Sequence, residues 1–80
     1  MEERNEVLAN VIKFAAMAFG KPEAEINENT KVSEELGVQS VQRVALSSAI
    51  ENEYDVMIPV ARIGKFETIG DIVDYVMDEM

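Results

Sequence analysis

The 80-residue sequence predicts an all-α fold: a small four-helix bundle of three long helices and one short one, with a long loop between the first and second helices. Two observations carry this expectation. Apolar residues recur at three-and-four spacing in separate stretches divided by glycine, proline or hydroxyl side chains. No stretch keeps the two-residue alternation of a half-buried strand, and neither an internal repeat nor a low-complexity tract interrupts the pattern. The length suits a single domain, residues 1–80, with one small core.

From about Glu3 to Phe19 the apolar positions are Val7, Leu8, Val11, Ile12, Phe14, Ala15, Ala18 and Phe19, one face of a helix. Gly20 supplies a left-handed C-cap and Pro22 blocks continuation. The polar stretch through Thr30 is too long for a tight turn. Its isolated apolar residues, Ile26 and Val32, are expected to pin an ordered loop to the core, and Ser33 to cap a short turn through Leu36. Ser40 is an N-cap candidate for a second long helix, Val41 to about Tyr54. Leu46, Ile50 and Tyr54 share one side of it, while Val41, Val44, Ala45 and Ser48 lie roughly opposite. One stripe faces the core; the other either packs under a neighbouring element or stands exposed. After Ile58-Pro59, a single helical turn fits between Val60 and Lys65, with Gly64 limiting its length. Thr68 and Asp71 form a capping box that opens the last helix, whose apolar face is Ile69, Ile72, Val73, Val76, Met77 and Met80.

Composition excludes many function classes. Sixteen acidic against seven basic residues give a net charge of −9, which argues against nucleic acid or anionic lipid as a partner. With neither cysteine nor histidine, a disulfide, a Cys/His zinc site, a thiol nucleophile and a Ser-His couple are all ruled out. No Asp-x-Asp-x-Asp-Gly calcium loop is present, and Glu34-Glu35 and Asp78-Glu79 read as solvated helix ends. The apolar run Phe14 to Phe19 is too short to span a bilayer, and Met1-Glu2-Glu3 reverses the charge of a signal-peptide start. A cytoplasmic, monomeric, non-enzymatic protein without membrane insertion is the expectation.

Ser40 is the most informative position for chemistry. At a helix N-terminus its hydroxyl serves as a cap worth about 1 kcal/mol, and a phosphate esterified there would also meet free N–H groups and the positive end of the helix dipole. Position alone leaves both roles open.

The ordered combination Glu35-Leu36-Gly37-Val38-Gln39-Ser40-Val41, then Ile50-Glu51-Asn52-Glu53-Tyr54-Asp55, Ile58-Pro59 and Asp74-Tyr75 resembles the acyl carrier protein family over nearly the whole chain. The resemblance implies that Ser40 carries 4′-phosphopantetheine, donated by coenzyme A through a phosphopantetheinyl transferase. The absent cysteine then fits a thiol supplied by the prosthetic group, which holds acyl intermediates as thioesters for acyl-transferring, ketosynthase-type or ligase enzymes. By the same resemblance Gln39, Val41, Val44, Ser48 and Arg62 form a partner-docking face. Leu46, Ile50 and Tyr54 would line an acyl space between helices, which Met17, Met57, Met77 and Met80 would help adapt or would simply pack.

Two departures from the family pattern stand out. Gln39 replaces the aspartate usual before the serine, and Val41 replaces leucine. Charge is also displaced: residues 1–36 carry a net −4, residues 37–66 a net 0, and residues 67–80 a net −5. A near-neutral docking face, with Arg43 and Arg62 among its bases, is poorly matched to the basic sockets of a general fatty-acid synthase. The expectation is a carrier for a specialised fatty-acid, lipid or polyketide-type pathway. The alternative, supported by Gln39, is an unloaded carrier-like helical subunit of a larger assembly.

Overall fold

In the computed structural model, which describes residues 2–36 and 40–80, four α-helices follow the predicted order: α1 Glu2–Phe19, α2 Ser40–Tyr54, α3 Val60–Ile63 and α4 Ile69–Glu79. α1 packs against both α4 and α2, and the short α3 leans on α2. The core is contributed by every element: Val7, Val11 and Ala15 from α1, Leu46 and Ile50 from α2, Ile63 from α3, and Ile69, Ile72, Val73 and Val76 from α4. Ile26 and Val32 are buried beneath the long loop, as their isolated spacing predicted.

Gly20 ends α1 with a φ of +68°, a conformation open to glycine without a Cβ penalty. The following N–H, on Lys21, donates to the Ala16 carbonyl at 3.1 Å, the six-to-one bond of a Schellman cap. A 3₁₀ turn, Glu23–Glu25, interrupts the loop where the sequence showed no periodicity. Residues Val32–Leu36 form a π-type turn instead of a serine-capped one. Its start is closed by Glu35, whose carboxylate accepts from the Lys31 N–H at 2.8 Å, which leaves the Ser33 hydroxyl to face Arg43.

The loop is bound to the beginning of α4. The Thr68 hydroxyl accepts from the Asp71 N–H, and the Asp71 carboxylate accepts from the Thr68 N–H, completing the predicted capping box. Two further N–H groups of this helix end, on Ile69 and Gly70, donate to the loop carbonyls of Thr30 and Glu28 at 3.0 and 2.8 Å. Glycine at position 70 suits that approach, because a Cβ there would stand 3.0 Å from the Glu28 carbonyl oxygen, closer than ordinary contact. Arg4 adds a surface tie, reaching Glu28 at 2.9 Å and Asp74 at 3.2 Å. Its hydrogen bonds to the carboxylates of Glu28 and, next, Asp74 raise its pKa above the ordinary arginine value.

The methionines depart from the sequence expectation. Met80 lies beyond α4 and is 55% exposed, while Met17 and Met57 are about three-quarters exposed. Only Met77 packs against the core, so adaptable core filling does not extend to the other three. Periodicity alone extends a face past the point where the bundle ends.

Candidate functional site at the start of α2

The second helix begins at Ser40 itself, one residue ahead of the predicted start. Gly37, Val38 and Gln39 lie outside the described residues, so the predicted docking role of Gln39 rests on sequence. The first turn, Ser40 to Arg43, contains no acidic residue to oppose an anion at the positive end of the helix. Directly after it, Val41 is 79% exposed and Val44 is 46% exposed. Ala45 and Ser48 continue the exposed stripe. The ambiguity between two apolar stripes is thereby resolved: Leu46 and Ile50 are wholly buried, and the stripe beginning at Val41 is the outward one. These features fit a phosphodiester on Ser40: a helix N-terminus, no acidic residue in its first turn and small apolar neighbours on the surface.

The other predicted site residues fall in different places. Leu46 and Ile50 belong to the packed core, and Tyr54 is half-buried, its hydroxyl accepting from Asn10 Nδ2 at 2.7 Å. Arg62 is exposed, but its guanidinium lies over the ring of Tyr75 on α4, 5.1 Å from the centroid. That ring packs at a tilt against Phe66 and donates its hydroxyl to the Met57 carbonyl at 3.1 Å. Arg43, expected at the surface, is folded partly inward. Its Nη2 faces the Ser33 hydroxyl at 3.4 Å, and its buried Nε has no hydrogen-bond partner among the described residues.

Sequence reasoning missed Ser47. This buried hydroxyl donates to the Ile58 carbonyl, and Glu51, one turn later, accepts from the Ile58 N–H at 3.2 Å. Together they fasten the Ile58-Pro59 corner to α2 and so set where α3 begins. The available signal was the four-residue spacing of Ser47 and Glu51, which places both on one helix face. Among the described residues no cluster of acidic side chains is suited to hold a metal ion, and no helix is long and apolar enough to cross a membrane.

Comparison with known proteins agrees with this arrangement. The family model described as a phosphopantetheine attachment site matches residues 10–76. The acyl carrier protein of Thermotoga maritima is 32% identical over 76 residues, covering 95% of this chain and 94% of that protein. Those of Rickettsia bellii and Saccharopolyspora erythraea are 31% and 28% identical over 78 and 76 residues; they cover 98% and 95% of this chain, and 91% and 80% of their own lengths. With an all-helical fold, an exposed apolar stripe behind a serine at the start of α2, and relatives matched nearly end to end, this chain belongs to the acyl carrier protein family, whose non-enzymatic members bear a covalent 4′-phosphopantetheine.

Proposed function

We propose that this protein is an acyl carrier loaded at Ser40, serving a specialised fatty-acid, lipid or polyketide-type pathway. The observation that carries the reading is the position of Ser40 as first residue of α2, beside the exposed pair Val41 and Val44 and without an acid in its turn. During loading the Ser40 hydroxyl gives its proton to a base on the transferase, and its oxygen bonds the pantetheine-bearing phosphorus of coenzyme A to form a phosphodiester, while the pyrophosphate P–O bond breaks and adenosine 3′,5′-bisphosphate leaves. The prosthetic group then supplies the thiol that binds acyl groups as thioesters. The chain's own contribution is a helix N-terminus that carries the attachment point and an apolar patch for transient docking. Tethering raises the local concentration of cargo at a docked enzyme, so short-lived contacts suffice.

The docking face comprises Gln39, Val41, Val44 and Ser48, with Arg62 as a cation held by Tyr75. Its partners are a phosphopantetheinyl transferase and acyl-handling enzymes. The zero net charge of residues 37–66 favours sockets that are not strongly basic. Leu46, Ile50 and Tyr54 would line an acyl space only after the bundle opens, because the first two are already fully enclosed.

Incubation with coenzyme A and a broad-specificity transferase, followed by intact mass, should show one added arm on the wild type and none on Ser40→Ala. A chain that stays unmodified while Gln39→Asp becomes loaded favours the unloaded-subunit reading or an atypical transferase. The specialised-pathway reading fails if a general malonyl or acyl transferase charges this carrier as fast as a housekeeping one.

A further inference from the structure

The inward stripe of α2 begins with a charge. Arg43, Leu46, Ser47 and Ile50 recur at three-and-four spacing, the pattern of one buried face, yet the first of them is an arginine. It lies three residues after Ser40, about 4.5 Å further along the helix axis. Its Nη2 faces the Ser33 hydroxyl at 3.4 Å, and its guanidinium is seated against Gly64, where an added Cβ would fall 2.5 Å from Nη1. The space between the π-type turn and the end of α3 is therefore filled by this one side chain, with its Nε buried. Behind it stand Leu46, Ile50 and Ile63, all wholly enclosed. Polar contacts also close the far end of the seam between α2 and α3, where Ser47 donates to the Ile58 carbonyl and Glu51 accepts from the Ile58 N–H.

We propose that Arg43 is a barrier that keeps acyl cargo out of the core, so that this carrier holds its chains at the surface and suits short or polar acyl groups. The inference rests on the carrier reading above and adds a cargo preference to it. An apolar chain tethered at Ser40 gains by leaving water, and the gain grows with each methylene. The large apolar volume within reach is the core along the inward face of α2, and the first side chain on that route is Arg43. To pass, a chain must swing the guanidinium away from Ser33 and Gly64, or bury it further against hydrocarbon that offers its N–H groups no acceptor. Parting α2 from α3 further back breaks the two hydrogen bonds at Ile58 and leaves buried polar groups unpaired. A short or oxygenated chain gains too little from burial to offset either cost and loses nothing by staying in solvent. Gly64 belongs to the same device. Its φ of −68° and ψ of −14° lie in the right-handed helical region open to any residue, so its missing side chain serves the space that the guanidinium fills and not the backbone conformation.

The test loads the chain with an acetyl or an octanoyl arm from the corresponding coenzyme A thioesters, verified by intact mass, and compares the two forms. In the wild type the octanoyl chain should give no nuclear Overhauser contacts to the methyls of Leu46, Ile50 or Ile63. Hydroxylamine should cleave the two thioesters in the same ratio as it cleaves the matching pantetheine thioesters free in solution. Arg43→Ala should open the route, so that octanoyl contacts to those methyls appear and cleavage of the octanoyl form slows by about threefold or more. Gly64→Ala, whose Cβ displaces the guanidinium while leaving Arg43 in the chain, should act in the same direction and serves if the first variant does not fold. Octanoyl contacts to the core methyls in the wild type would overturn the proposal, and so would exclusion that persists in both variants, since Arg43 is then not its cause. If no arm is added to Ser40, the carrier reading fails, and the barrier is judged on the unmodified chain by amide hydrogen exchange. Exchange at Ile63 about fivefold faster in Arg43→Ala than in the wild type supports a side chain that holds the seam shut, and unchanged exchange overturns it.

Discussion

α4 and α2 are built for different tasks. α4 has one apolar face, with Ile69, Ile72, Val73 and Val76 all buried, a complete capping box and two extra N–H groups received by the loop. α2 buries Leu46, Ile50 and Ser47 but leaves Val41 and Val44 in solvent, and it begins without an acid in its first turn. An ordinary surface helix hides its large apolar side chains, and α4 does so along nearly its whole length. The difference teaches that α4 gives its whole apolar face to the core, whereas α2 anchors one stripe there through Leu46 and Ile50 and leaves the other on display, the face proposed above for docking.

The comparison can be broken most forcefully at its buried side. Ile72→Ala deletes a wholly enclosed side chain and should lower unfolding free energy by about 2–5 kcal/mol in urea titration, enough to endanger the fold of so small a domain. Ser47→Ala leaves the buried Ile58 carbonyl without its hydroxyl donor and should cost about 1–3 kcal/mol in the same titration, with α3 losing protection from hydrogen exchange before the rest. Thr68→Ala removes the cap of α4 and should cost about 1 kcal/mol, read as a lower thermal midpoint. Asp55, immediately after α2, holds a φ of +56°; Asp55→Gly should stabilise the chain by about 0.5–1 kcal/mol, and an unchanged midpoint would remove the strain assigned to that corner. The smallest effect on stability belongs to the display face. Val41→Ser and Val44→Ser should move the midpoint by less than about 0.5 kcal/mol while slowing acyl transfer from a partner enzyme, and a large loss of stability would mean that this face is structural after all.

Much of the fold was legible in the chain because local rules decide it. The three-and-four spacing in α1 and α4, the left-handed Gly20 and the Thr68–Asp71 box each depend on residues within a turn or two of one another. Ile26 and Val32 were legible for a related reason: an apolar residue alone in a polar stretch has few ways to be satisfied except burial. Met80 shows where the rule stops, since a helical pattern continues past the end of the surface it would pack against. Ser33 shows a competing partner at work, for Glu35 closed the turn that its hydroxyl was expected to cap.

The candidate site divides along the same line. By itself, the sequence determined that a serine stands at the head of α2, that this helix carries two apolar stripes, and that the chain's negative charge avoids the middle segment. Only the tertiary structure decided which stripe faces outward, because both satisfy the same periodicity and the choice depends on where α1 and α3 come to rest. It also decided that Ser47 and Glu51 hold the Ile58 corner, that Arg62 lies on Tyr75, and that Arg43 reaches across to Ser33 beside Gly64. Those partners are 7 to 21 residues apart in sequence and sit on different segments, so no helical spacing relates them, and they meet only when the loop and the short third helix close over the core.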